Sequence, residues 1–192
     1  MKKILIGTHN KGKFKEIAYL LSSKYKKISP NSLKIKSPKE TGKSFVSNSK
    51  LKVKFFSKFV NYPVISDDSG LCIEALNNKP GIYSARLAKK HGSFFKAMRF
   101  ILKKMDKKKN RKATFVCSLS YKNSFGKITS VEGRLRGSIS TKIIGKKGFG
   151  YDPIFVPYKK KITFGQMHKL KKIHMDHRFI AFQKLKKKVK IL

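Results

Sequence analysis

The chain contains a single acidic doublet, Asp67-Asp68, in the stretch Val64-Ile65-Ser66-Asp67-Asp68-Ser69-Gly70-Leu71. It stands out because 192 residues hold only 9 Asp and Glu against 48 Lys and Arg. Adjacent carboxylates repel each other, so a fold that keeps them together must set something cationic beside them. The preceding residues, Pro63 to Ser66, read as a short buried strand. Ser69-Gly70 reads as a turn, and Leu71 to Leu76 as a further strand. Carboxylates at a strand end beside a glycine turn are placed for Mg²⁺ and general-base work. Locally the same residues are equally compatible with a polar turn carrying two solvated Asp.

The length suggests one domain spanning residues 1–192, or one core split into two lobes. With 40% hydrophobic residues and 15 Phe, the chain can bury an ordinary core. No apolar run approaches the roughly 20 residues of a membrane span. The apolar part of Met1 to Gly7 is too short for a signal peptide and reads as a first buried strand. Cys72 and Cys117 lie singly in apolar runs without metal-ligand spacing, which suggests reduced thiols and a cytoplasmic setting. The formal charge of +39 invites a nucleic-acid reading. Yet the charge is nearly all lysine, spread along the chain, whereas base readers favour arginine and stacking aromatics. Salt-dependent affinity for polyanions is expected, and no specific nucleic-acid partner.

The order of elements suggests an α/β fold, a mixed central sheet with flanking helices. Strand Lys3 to Thr8 leads through Thr8-His9-Asn10-Lys11-Gly12-Lys13 into a helix ending near Ser22. A loop follows from Asn31 to Lys43, and a helix from Ser44 to Val60. Phe94 to Met105 reads as a helix. Ala113 to Tyr121 and Lys127 to Arg136 read as long strands joined at Asn123-Ser124. Gly145 to Pro157 reads as a glycine-rich loop, and Lys169 to the C-terminus as one helix with a basic end over about 183–192.

Two loops could carry chemistry. Gly7 to Lys13 matches the phosphate-loop pattern G-x-x-x-x-G-K, but Phe14 stands where a Mg²⁺-binding hydroxyl belongs. Backbone N–H groups at a helix start, with Lys11 and Lys13, still favour phosphate. A surface turn rich in lysine explains the same residues. Gly148-Phe149-Gly150-Tyr151-Asp152-Pro153-Ile154-Phe155 sets glycines around aromatics and a rare acid. Glycines admit close backbone approach and aromatics stack on a base; a sheet corner with core aromatics is the plainer reading. His177-Arg178, taken alone, reads as helix surface.

Taken in order, these segments resemble a family. The set is Thr8 to Lys13 with Glu16; Glu40-Thr41-Gly42 with Phe45 and Asn48; Ser66 to Leu71; Pro80-Gly81-Ile82-Tyr83-Ser84-Ala85-Arg86; Gly148 to Phe155; Thr163-Phe164; and Lys172 with His177, Arg178 and Ala181. The chain is similar, from Lys3 to about Leu185, to the inosine/xanthosine triphosphate pyrophosphatases, the Ham1-like non-canonical purine NTP pyrophosphatases.

The resemblance implies hydrolysis of ITP, dITP and XTP to the monophosphate and pyrophosphate, with Mg²⁺, by a homodimer. It also implies an elongated sheet with two lobes around a nucleotide-binding cleft. Thr8, His9, Asn10, Lys11, Gly12 and Lys13 are expected to hold the triphosphate, and Asp68 to act as base and metal ligand. Ser69 is expected to touch substrate, and Phe149, Gly150, Tyr151 and Asp152 to line the nucleoside pocket. Lys172, His177 and Arg178 are expected to read the base. Such a reaction needs no nucleophilic Ser or Cys, only charge stabilisation and a positioned base. Inosine and xanthine present a carbonyl acceptor at C6 where adenine presents an amino donor, so donors there favour the former. The chain departs from the family at Lys39 and Ser47, where acids are usual, and at Gln166 and Asp176. Two competing functions are a phosphate-loop NTPase releasing orthophosphate and a non-catalytic basic nucleic-acid binder.

Overall fold

A computed structural model describes residues 1–189 of the chain. Its elements alternate, as the sequence pattern predicts. Strand β1 (Lys2–Ile6) leads to helix α1 (Lys11–Leu20) and strand β2 (Tyr25–Ile28). Helix α2 (Phe45–Phe56) precedes β3 (Val64–Ile73) and the short β4 (Lys79–Pro80). Helices α3 (Ser84–Lys90) and α4 (Phe94–Lys104) follow, then the long strands β5 (Lys112–Lys122) and β6 (Ile128–Ile139). Strand β7 (Phe155–Pro157) and helices α5 (Lys169–Ile173) and α6 (His177–Lys188) complete the chain.

The strands form a mixed sheet in the order β2-β1-β3-β5-β6-β7, with β4 on β3. Strand β1 runs parallel to β2 and β3, whereas β4 and β7 are antiparallel to their partners. This is the α/β architecture with flanking helices expected from the element order.

Two compact units divide the residues. The first comprises 1–68, 117–133 and 178 onward; the second comprises 69–116 and 134–177. Each has its own core. In the first, Ile4, Ile6, Ile17, Ile65, Leu119, Phe182 and Leu185 pack together, and Leu5, Val53, Phe56 and Val64 form a second cluster. In the second, Leu71, Ile73, Met98, Ile101, Phe115, Phe155 and Phe164 do so. Helix α4 shows why the sequence folds this way. Ser93 caps it by accepting from Lys96 N at 3.1 Å, and Ala97, Met98 and Ile101 recur on one buried face.

Several boundaries differ from the sequence reading. Val64–Ile73 is one strand of ten residues, not a strand, a turn and a strand. Gly70 lies inside it because a Cβ there would collide with the Gly81 carbonyl and Ser84, so the glycine serves close approach rather than a turn. The C-terminal helix is two helices, broken at His174–Asp176. Buried Asp176 directly precedes α6, and Asp is a favoured helix starter. Helix α2 is shorter than expected, while β2 and α3 were not anticipated. Of the basic C-terminal end, the part beyond residue 189 lies outside the described residues.

Candidate active site

The β1–α1 loop is organised by its own side chains. Asn10 caps α1, its Oδ1 accepting from Lys13 N at 3.0 Å, and Asn10 N donates to Thr8 Oγ1 at 3.2 Å. His9 Nε2 donates to Ile35 O at 2.9 Å, so Nδ1 accepts from the Ser37 hydroxyl at 2.7 Å. The first turn of α1 holds no acid. Lys11, Gly12 and Lys13 therefore open a helix whose N-terminal dipole and cations favour an anion. Phe14 packs against the apolar core of the first unit. That position supplies packing rather than a metal-binding hydroxyl, which separates the loop from a phosphate-loop NTPase.

Asp67 and Asp68 are both buried, 0% and 4% exposed. Their strand pleat sends the side chains to opposite faces. Asp67 Oδ2 lies 3.1 Å from Lys13 Nζ and 3.4 Å from Arg178 Nη2. The other arm of Arg178 pairs with Glu16. Burial pushes the Asp67 carboxyl up, but Lys13, Arg178 and Lys52 outweigh it and hold the group well below the usual carboxylate range.

Asp68 faces α2. Its Oδ2 accepts from Asn48 Nδ2 at 3.0 Å, and its Oδ1 lies 3.9 Å from Lys52 Nζ. Gly42 N donates to Asn48 Oδ1 at 2.8 Å, which fixes the amide so that its NH₂ faces Asp68. Lys52 also pairs with Glu40 Oε1 at 2.7 Å. Here burial wins: desolvation raises the Asp68 carboxyl despite Lys52 and Lys13. Lys52 stays cationic, because Asp67, Asp68 and Glu40 outweigh its desolvation.

Lys52 is the candidate site residue that the sequence reading missed. Among so many lysines it carries no mark except its spacing. It lies four residues after Asn48, so both occupy one buried face of α2.

Among the described residues no group of three or more His, Cys, Asp and Glu could hold a metal ion. Asp68 and Glu40, which share Lys52, offer two hard oxygen donors. That set fits Mg²⁺, which keeps waters and phosphate oxygens as its remaining ligands, and does not fit an all-protein cage.

In the second unit, Ser69 directly follows Asp68 on β3. Several of the expected base-binding residues cluster around Asp152 and Lys172. Asp152 Oδ2 accepts from Phe149 N at 2.8 Å and from Lys172 Nζ at 2.7 Å. The Lys172 ammonium lies 4.5 Å from the Phe149 ring centre and 5.5 Å from that of Phe164. Gly148, at φ +75°, admits Asp152 where any side chain would collide. Tyr151 donates to Ser84 O at 2.9 Å and meets Phe94 edge-on, with Gly150 before it at φ +66°. His177 stacks on Phe115 at 4.7 Å and 11°.

The expected site residues thus fall into two sets. Thr8 to Lys13, Asp68 and Arg178 belong to the first unit. Ser69, Phe149 to Asp152, Lys172 and His177 belong to the second.

A buried carboxylate with raised proton affinity, beside cations and a helix N-terminus, defines a phosphate-processing α/β enzyme class. A model of the Ham1 family matches residues 4–188, and the chain belongs to that family. The dITP/XTP pyrophosphatase of Caulobacter vibrioides is 39% identical over 186 residues, covering 96% of each chain. That of Borrelia duttonii is 43% identical over 197 residues, covering 97% of this chain and 96% of its own. The Ham1 protein structure from Staphylococcus aureus aligns over 97% of both chains with a TM-score of 0.85 at 35% identity. A HAM1 protein from Coxiella burnetii aligns with a TM-score of 0.86 at 30% identity, over 97% of this chain and 98% of its own.

Proposed function

We propose that this protein hydrolyses non-standard purine nucleoside triphosphates, ITP, dITP and XTP, to the monophosphate and pyrophosphate, in the cytoplasm and as a homodimer. The observation that carries the chemistry is Asp68: buried, oriented by Asn48, flanked by Lys52, and raised in proton affinity by desolvation. The names of the relatives support the substrate class, and no described helix is long and apolar enough to cross a membrane.

These products follow from attack of water on the α-phosphorus. One water oxygen bonds to phosphorus, the bond to the bridging oxygen breaks, and pyrophosphate leaves with that electron pair. Asp68 takes the water proton, a role suited to a carboxylate whose proton affinity has been lifted. Lys13 and the α1 N–H groups hold phosphate oxygens, and Lys52 adds positive charge near Asp68. Mg²⁺, held by Asp68 with Glu40, would neutralise charge on the phosphate oxygens when bound.

Lys172 and His177 supply the donors for a C6 carbonyl, and Phe149 and Tyr151 the aromatic rings of the nucleoside pocket. Arg178 is engaged by Glu16 and Asp67, so its contribution to base reading runs through the placement of His177, its neighbour on α6.

Product identity tests the reading. ITP, dITP, XTP, ATP and GTP are each incubated with enzyme, with Mg²⁺ or with chelator. Pyrophosphate released from the first three, dependent on Mg²⁺, is the expected result. Orthophosphate as product, or equal turnover of ATP, would overturn it. Sedimentation at micromolar concentration checks the dimer, and cell fractionation checks the compartment.

A further inference from the structure

One cavity lies at the other end of β1 and β3 from Asp68. It measures about 640 Å³ and is lined by Lys2 and Lys3 at the start of β1, Tyr25, Tyr62, Tyr121, and the β5–β6 turn with Phe125 and Lys127. Five residues of extended chain separate Lys3 from Thr8, a span of about 16 Å. The cavity is therefore distinct from the phosphate loop within the same unit.

Its chemistry is specific. The volume falls in the range of about 300–1,000 Å³ typical of small-molecule sites. Four aromatic rings line it together with three lysines. Lys3 Nζ stands 6.0 Å from the Tyr62 ring centre, at the outer range of a cation–π contact. Phe125, one of the lining residues, is 96% exposed and so open to a ligand. It is held there by design of the turn rather than by slack. Asn123 Oδ1 accepts from Phe125 N at 3.1 Å and from Lys127 N at 2.9 Å, and Gly126 adopts φ +87°. An exposed ring on a hydrogen-bonded turn, with tyrosines and ammonium groups beside it, matches a planar base carrying phosphate.

We propose that this cavity is a second nucleotide site, which takes a free phosphorylated nucleoside by stacking its base on Phe125 and the tyrosines and pairing its phosphate with Lys3 and Lys127. It does not depend on the catalytic reading, because none of its residues touches Asp68.

The test is photo-crosslinking of the full-length protein with 8-azido-ATP, followed by peptide mapping. Label is expected on peptides containing Tyr62 and residues 121–129, separately from any on residues 8–15 or 149–152. Lys3, Phe125 and Lys127 are exposed, so the variants Lys3→Glu, Lys127→Glu and Phe125→Ser should fold normally. The double lysine variant is expected to lower labelling of the cavity peptides at least about tenfold, as loss of two charge-assisted contacts implies, while ITP turnover is unchanged. Excess unlabelled ATP is expected to displace the probe. Label confined to the catalytic peptides would overturn the proposal, as would cavity labelling indifferent to the variants. Displacement by a single-stranded oligonucleotide but not by ATP would overturn the assignment to a free nucleotide.

Discussion

Asp67 and Asp68 are neighbours with opposite proton affinities, and the strand pleat is the reason. Asp67 turns toward Lys13 and Arg178 and remains ionised, a structural anion. Asp68 turns toward Asn48 and Lys52, where desolvation dominates and leaves it able to accept a proton. Asp68→Asn keeps the shape and the Asn48 contact but removes the base. Its turnover is expected to fall about 10²–10⁴-fold with an unchanged melting curve; pyrophosphate release measured at saturating Mg²⁺ decides. Lys13→Ala is expected to raise KM for ITP, because a cation at the α1 N-terminus is lost. It also deprives Asp67 of a partner, so its melting temperature should drop, which steady-state kinetics and a thermal melt read separately. A base-reading role for Arg178, as the resemblance implies, would have Arg178→Ala eroding selectivity more than stability. The structure reverses that order. Arg178 is 1% exposed and holds both Glu16 and Asp67. Removing one partner of a buried pair costs about 3–5 kcal/mol, against about 1.5–3 kcal/mol for one charged hydrogen bond. A urea midpoint unmoved by Arg178→Ala would return the residue to base reading.

Helix α2 shows what Ser47 does in this chain. Ser47, where an acid is usual, closes a capping box: its N–H donates to Ser44 Oγ at 3.1 Å and Ser44 N donates back to its Oγ at 2.9 Å. The box sets the angle at which α2 presents Asn48 and Lys52 to Asp68. Ser44→Ala is expected to cost about 1 kcal/mol of stability, within the usual range for a lost cap, and to lower turnover through Asn48; denaturant titration and kinetics together check this. In the second unit, Tyr151 anchors the glycine-rich loop to Ser84. Burial pushes its phenol well up, so the folded state holds that proton more tightly than the unfolded chain. The associated stability is complete below about pH 10, the unfolded value, and is lost as pH rises from there toward the folded value. Tyr151→Phe should thus be less stable than wild type at pH 8, and the gap should narrow by pH 11, as guanidine midpoints at the two pH values would record.

At the scale of the whole molecule, charge is the dominant feature. A formal +39 dispersed over both units supports solubility and a loose affinity for polyanions. Binding to a random duplex is expected to fall linearly in log K against log salt, with a slope set by about 0.9 per phosphate contacted; fluorescence anisotropy from 50 to 500 mM salt, a range spanning the usual loss of affinity, would measure it. A slope near zero would mean the lysines engage no phosphates. Nine acids cannot pair with so many cations, so the buried ones are spent selectively. Buried Glu16, Asp67, Asp68 and Asp152, with half-buried Glu40, take cations from Lys13, Lys52, Lys172 or Arg178.

The sequence by itself determined the alternation of strands and helices, the loop that opens α1, the acidic doublet and the family. These are local signals: apolar periodicity, a helix start, and a doublet conspicuous against a basic background. Only the tertiary structure decided what the buried charges do. No local pattern separates Lys52 from its many neighbours, or shows that Arg178 closes on residues 111 and 162 positions away. Nor does it show that Gly70 lies within a strand, because the reason is the approach of the Gly81 carbonyl. Desolvation and pairing depend on which groups the fold brings within a few ångströms, and that information is carried by packing rather than by spacing along the chain.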